Sequence, residues 1–173
     1  MEKRPTLYIF SGLPGVGKTT LAKRLARDLN STFLRIDTVE QALRDLCSFK
    51  VEGEGYRLSY RVAKDNLLNG NDVVADSCNP IQITREEWQE VAKSADANFI
   101  NIEIICTDSN IHKQRVESRT SEIPNLTLPC WQEILDREYH IWKVDRVVID
   151  TGNKTIDESY DELIYFLKNR NLG

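Results

Sequence analysis

Short apolar runs alternate with stretches of helical period along the whole chain. Thr6 to Phe10 is an apolar run ending in a glycine-rich turn and predicts a first strand. Behind it Leu21, Leu25 and Leu29 recur at i, i+4 and i+8 beside Ala22 and Ala26, the single buried stripe of a helix. Phe33 to Ile36 predicts a second strand. Val39, Ala42, Leu43 and Leu46 then follow at helical spacing behind the capping pattern Asp37-x-x-Glu40. Glu52 to Gly55 reads as a polar turn, and Tyr56 to Asn69 as a helix stopped at Gly70. Asp72 to Ala75 predicts a third strand, and Thr84-x-x-Glu87 a capping box before Trp88, Val91 and Ala92. Phe99 to Cys106 predicts a fourth strand, after which Asp108 and Ser109 cap a polar helix running to about Arg119. Ile123 to Pro129 reads as a loop, Cys130 to Tyr139 as a short helix and Val144 to Ile149 as a fifth strand. Thr155-x-x-Glu158 caps a last helix with the stripe Ile156, Leu163, Ile164 and Leu167. Five strands, each followed by helix, predict an α/β fold: a three-layer α/β/α sandwich around a mostly parallel sheet. No repeat or linker interrupts it, so residues 1–173 read as a single domain.

One segment carries specific chemistry. Gly12-Leu13-Pro14-Gly15-Val16-Gly17-Lys18-Thr19, with Thr20 next, matches G-x-x-x-x-G-K-[ST] and sits between the first strand and the first helix. Glycines let such a loop curl until successive N–H groups point inward at phosphate oxygens. The helix behind it adds its positive end. Lys18 supplies a mobile charge for the β- and γ-phosphates, and the Thr19 hydroxyl is a hard ligand for Mg2+. The chain therefore reads as a binder of nucleoside triphosphates.

Charge and cysteine usage narrow the class. Lys plus Arg total 23 against 27 Asp plus Glu, a net charge of -4, which argues against a nucleic-acid coat protein. No apolar run approaches the roughly 18 residues of a membrane span, and the first one is cut at Ser11, so neither a span nor a signal peptide is expected and the cytoplasm is the expected address. Cys47, Cys78, Cys106 and Cys130 form no C-x-x-C pair and read as reduced, core-filling thiols. His112 and His140 are isolated and read as surface or lid residues.

Three classes of triphosphate protein compete. A guanine reader should carry Asn-Lys-x-Asp, whereas Asn153-Lys154-Thr155 is followed by Ile156. A motor ATPase usually has Glu after the strand-three Asp, whereas Asp76 is followed by Ser77. A phosphotransferase fits better, and here the sequence resembles the small P-loop kinases of the nucleoside and nucleotide kinase superfamily. It is most similar to the polynucleotide kinase, zeta-toxin and chloramphenicol phosphotransferase branch, with its uncharacterised kinase relatives of AAA type. The resemblance is carried by Gly12 to Thr19, Ile36-Asp37, Val73-Val-Ala-Asp-Ser-Cys-Asn-Pro80 with Arg85 and Trp88, and Arg115 to Arg119. It implies a sheet in the order 2-3-1-4-5, ATP with Mg2+ as donor, and a hydroxyl or phosphate acceptor.

The same resemblance assigns expected roles. Asp37 would accept the proton of an acceptor hydroxyl, although its spacing to Glu40 reads equally as a helix cap. Asp76 at the end of strand three would orient Mg2+ or its water shell, or else serve a turn. Asn79 and Arg85 would lie near the acceptor pocket. Residues about 109–142 would form a helical lid, with Arg115 and Arg119 on one helix face reaching the phosphates. Arg57 and Arg61, with Lys64, form a stripe that reads as a solvated face beside buried Tyr56, Tyr60, Ala63 and Leu67, or as an acceptor-binding face. Thr151 to Lys154, including Gly152, would pass near the adenine edge. The expected acceptor is a small molecule or nucleotide; a nucleic-acid 5′ end is less favoured by the acidic charge, and oligomeric state is left open. The alternatives are a nucleoside monophosphate kinase, with Arg44, Arg57 and Arg61 on the acceptor phosphate, and an ATP-binding regulator or slow ATPase.

Overall fold

The structure is a computed structural model that describes residues 4–48 and 50–170. Its strands are β1 (Thr6–Ser11), β2 (Thr32–Arg35), β3 (Val73–Asp76), β4 (Asn98–Ile105) and β5 (Val147–Asp150). All pair in parallel, in the order β2-β3-β1-β4-β5. That is the order expected from the resemblance, on the three-layer architecture expected from the pattern. β1 is central and buried from end to end. Its side chains alternate between two cores because both faces of a parallel sheet are covered. Tyr8 and Phe10 join Ile100, Ile102, Ile104, Leu21, Leu25 and Leu163 on one face. Leu7 and Ile9 join Ala63, Leu67, Trp88 and Ala92 on the other. The first face is covered by α1 (Lys18–Asp28) and α7 (Ile156–Lys168), the second by α3 (Glu54–Leu68) and α4 (Gln82–Ser94).

Between these lie α2 (Ile36–Cys47), α5 (Ser109–Ser118) and α6 (Trp131–Leu135). Two expected caps hold. Asp108 accepts from the N–H groups of Asn110 and Ile111, and Thr155 forms a reciprocal capping box with Glu158. Two do not. α2 starts two residues earlier than its pattern suggests, with Arg35 at its N-cap, so Asp37 stands in the first turn and caps nothing. α4 starts at Gln82, and Thr84 donates back to the Ile81 carbonyl while Glu87 accepts from the Tyr60 hydroxyl. α6 is shorter than expected, because residues 139–146 cross the sheet instead of extending it. There Tyr139 and Arg146 both donate to Glu103, a carboxylate buried on β4. Ile156 is 57 % exposed and leaves the α7 stripe to Tyr160 and Leu163. All four cysteines are free, as expected, but only Cys106, half-buried, packs against a core; Cys78 is half-buried beside the cleft, and Cys47 and Cys130 are exposed.

Candidate active site

β1 delivers the chain to the middle of the sheet edge, where it turns into the glycine loop. Gly12 has φ +140, and a Cβ there would lie 2.2 Å from the Ile104 carbonyl oxygen. Gly15 has φ +85, and a Cβ would lie 2.5 Å from Val116 Cγ2. Only glycine fits these two positions. Gly17 is the left-handed N-cap of α1, which has no side-chain cap and no acidic residue in its first turn. The unpaired N–H groups of that turn and the positive helix end are thus left for an anion.

Lys18 is buried, with Nζ 3.5 Å from Asp76 Oδ1 at the end of β3. Burial alone would lower the pKa of Lys18. The Asp76 carboxylate, helped by Cys78 and Asp37, outweighs burial and holds the ammonium above its usual value. Arg35 Nε lies 3.9 Å from the other Asp76 oxygen. Neither Asp76 oxygen accepts a hydrogen bond among the described residues.

A cleft of about 830 Å3 opens over this loop, walled by α2, the end of α5 and the segment after it. Pro14, Gly15, Gly17, Lys18, Thr19 and Thr20 line one part of it, and Asp37, Glu40, Gln41 and Arg44 of α2 another. Seven cationic side chains face the cleft against three carboxylates, in a chain whose net charge is -4. The field in the cleft is therefore opposite in sign to the protein as a whole, which suits polyphosphate.

The two expected arginines differ. Arg115 lines the cleft, but its guanidinium is engaged: it donates to Thr151 Oγ1 (2.9 Å) and to the Thr151 carbonyl (3.0 Å). Arg119 is not on the same helix face, because α5 ends at Ser118 and Arg119 is its extended C-cap. Its Nε and one Nη are buried with no partner among the described residues. Burial, the main influence, lowers its pKa, while Cys78 and Asp37 act in the opposite direction. The guanidinium stays protonated.

Asn79 and Arg85 stand outside the cleft lining and brace it from behind. Asn79 is fully buried with φ +44; its side-chain amide donates to the Phe10 carbonyl (3.0 Å) and Ser11 Oγ (3.1 Å). Its own N–H donates to the Tyr56 hydroxyl (3.3 Å). Arg85 is 3 % exposed and donates to the carbonyls of Asn79 (2.8 Å), His140 (3.0 Å) and Pro80 (3.2 Å), with its guanidinium 4.0 Å from the centre of the Trp142 ring. Arg57 and Arg61 are exposed on α3 and do not line the cleft. Leu13 and Val16 turn into the core, and Gly152 donates its N–H to Asp150.

Several residues take roles here that the sequence reading did not give them. Thr151 ties the loop after β5 to the phosphate loop by donating to the Val16 carbonyl (2.7 Å). His112 is buried, not a surface residue: its Nε2 meets the Pro14 carbonyl at 2.8 Å and its ring stands edge-on to Trp131. His140 is half-buried, and its Nδ1 accepts from the Gln82 N–H (3.1 Å). Arg137 and Cys78 line the cleft side by side. None of these contacts has a local sequence signal, since each of the hydrogen-bond partners named here lies 58 or more residues away.

No helix among the described residues is long and apolar enough to cross a membrane, and no cluster of His, Cys, Asp and Glu could by itself hold a metal. Comparison with known proteins gives a consistent neighbourhood. The L-seryl-tRNA(Sec) kinase of Methanococcus maripaludis is 26% identical over 96% of this chain and 68% of its own. The adenylyl-sulfate kinase of Halothermothrix orenii is 27% identical over 98% of this chain and 92% of its own. Among solved structures, the Mycobacterium tuberculosis APS kinase CysC with AMPPNP and APS superposes with a TM-score of 0.70 at 20% identity, over 96% of this chain and 99% of that one, which supports the fold. A family model described as an AAA domain matches residues 7–137. The chain belongs to that AAA domain family and is one of its small P-loop kinases.

Proposed function

We propose that the protein transfers the γ-phosphoryl group of ATP, as its Mg2+ complex, to a hydroxyl of a small-molecule or nucleotide-like acceptor, and that residues 109–142 close over the donor as a lid. The observation that carries this reading is one cleft lined both by the phosphate loop with Lys18 and by Asp37 of α2, with Arg119 beside them. Phosphoryl transfer needs positioning and charge stabilisation more than covalent chemistry, and these residue types provide both. The α1 amides and Lys18 bind the β- and γ-phosphates. The Thr19 hydroxyl, with Asp76 behind it, would hold Mg2+. A buried carboxylate without hydrogen-bond donors fits a cation that keeps much of its water shell. When bound, Mg2+ neutralises part of the charge on the phosphates. Asp37 takes the proton of the acceptor hydroxyl. Arg119, half-buried with its Nε and one Nη unpartnered, meets the charge of the transferring group, and Arg115 positions α5 through Thr151.

The test is ADP release from ATP and Mg2+ across nucleosides, nucleoside monophosphates, 5′-hydroxyl oligonucleotides, sugars and adenylylsulfate, with Lys18→Ala and Asp37→Asn alongside. Stimulation by one acceptor, lost in both variants, is expected. A second reading, a phosphate acceptor as in a nucleoside monophosphate kinase, is favoured by the arginines of the cleft; stimulation that survives Asp37→Asn would select it. A flat panel with ATP still bound would select a nucleotide-dependent regulator.

A further inference from the structure

The cleft contains more positive charge than the donor uses. Lys18 is balanced by Asp76, and Arg115 is spent on Thr151. Arg119 remains, and it lies within electrostatic reach of two further arginines, Arg35 and Arg137, as well as of Asp37. Arg119 and Arg137 make no ion pair among the described residues, and Arg137 has only the Cys78 sulfur, 3.9 Å away. Arg119 and Arg137 stand beside Arg35 without ion pairs of their own, while Arg35 faces Asp76 and Glu122; like charges gathered this way repel, and a fold tolerates that where a ligand supplies the missing charge. A second observation points the same way. Glu122, on the loop after α5, reaches across the cleft and pairs with both Lys23 and Arg35 (3.3 Å to Arg35). Its carboxylate is 66% exposed, so burial does not put it there. The protein thus lays one of its own exposed anions on the cationic wall. Arg35 itself is almost buried and keeps its Nε without a hydrogen-bond acceptor.

We propose that the acceptor is itself an anion: a small alcohol that carries a phosphate group, held by Arg35 and Arg137 while its hydroxyl faces Asp37, with Glu122 occupying part of that subsite until the acceptor displaces it. This rests on the kinase reading above and adds the class of acceptor. Guanidinium groups suit such a group because their paired N–H donors match its oxygens. The displacement gives a sign that an ordinary surface contact would not: removing the Glu122 charge should improve binding, and removing Arg137 should weaken it.

The experiment separates the subsite from turnover. The protein is saturated with AMPPNP and Mg2+ so that the γ-position is filled, and inorganic phosphate is titrated in by calorimetry. Wild type, Arg137→Gln and Glu122→Gln are compared, with Arg27→Gln on the far end of α1 as a control for net charge; thermal melting confirms that each is folded. Phosphate should bind beside the analogue. It should bind about tenfold more weakly to Arg137→Gln, a charge-assisted contact, and about two- to fivefold more tightly to Glu122→Gln, an exposed pair. Arg27→Gln should match wild type. Absence of phosphate binding in wild type, or equal affinity in wild type, Arg137→Gln and Glu122→Gln, overturns the proposal. ADP release driven by neutral alcohols without any phosphate binding would overturn it too, and would leave the kinase reading standing. Phosphate binding of the expected pattern with no ADP release from any acceptor would support the subsite and count against the kinase reading.

Discussion

Arg85 offers the sharpest test of how the site is supported. Its guanidinium is buried, donates to the carbonyls of Asn79, Pro80 and His140, and lies against Trp142 and Tyr139. Replacing it by Met keeps most of the stem volume and removes every donor. Each hydrogen bond from a charged donor contributes about 1.5–3 kcal/mol, and the ring contact about 1 kcal/mol more. Against this, the variant no longer buries a charge, which returns several kcal/mol. Breaking one partner of a buried ionic network costs about 3–5 kcal/mol in practice, and about 3 kcal/mol is the expected loss here. For a chain of 173 residues that lowers Tm by about 6–12 °C. Arg85→Lys should cost nearly as much, because a single ammonium cannot reach three carbonyls set around a planar fork. Urea denaturation of the three proteins gives the free energies, and acceptor KM gives an independent readout. A loss under about 1 kcal/mol with a large rise in acceptor KM would refute the argument and return Arg85 to the acceptor pocket.

Three further outcomes are expected. Gly15→Ala should weaken binding of an ATP analogue by at least tenfold, since left-handed backbone costs about 1–2 kcal/mol and the new Cβ meets Val116; adding Val116→Ala should restore only part of that, and full restoration would show that backbone strain is absent. Thr151→Val removes a hydroxyl that joins Arg115 to the Val16 carbonyl and should cost about 1–3 kcal/mol by thermal melting, with a parallel loss of nucleotide affinity. Asp150 should contribute to acid unfolding. Burial alone would raise its pKa, but hydrogen bonds from the Thr107 hydroxyl, the Gly152 N–H and the Thr107 N–H hold it below its usual value. A depressed carboxyl stabilises the fold above its unfolded pKa near 4 and loses that contribution as pH falls through its folded value. Between pH 6 and 3, wild type should therefore lose more stability than Asp150→Asn, and parallel curves would refute the assignment.

The phosphate loop was legible because its requirement is local: backbone curvature, one cation and one hydroxyl, all within eight residues. The five-stranded parallel architecture was legible from the alternation of apolar runs and helical stripes, and its strand order from the resemblance. The caps at Asp108 and Thr155 were legible because their partners are two or three residues away. What lies across the chain was not. Arg85 resembles an exposed first-turn cation until residues 139–146 fold over it. His112 has no visible reason to be buried until α5 packs on the glycine loop. The Asp37 pattern imitates a cap because a carboxylate in the first turn of a helix has the same spacing in either role.

β1 is hydrogen-bonded on both sides, by β3 and β4, and every residue of it is buried. The glycine loop therefore hangs from the segment whose amides should be the last to exchange with deuterium, at free energies close to that of global unfolding. The opposite wall, residues 120–129, has no regular secondary structure and should exchange early. A ligand that joins the two walls would slow exchange at 120–129 and leave β1 unchanged. Protection there would report occupancy of the cleft without any assay of turnover.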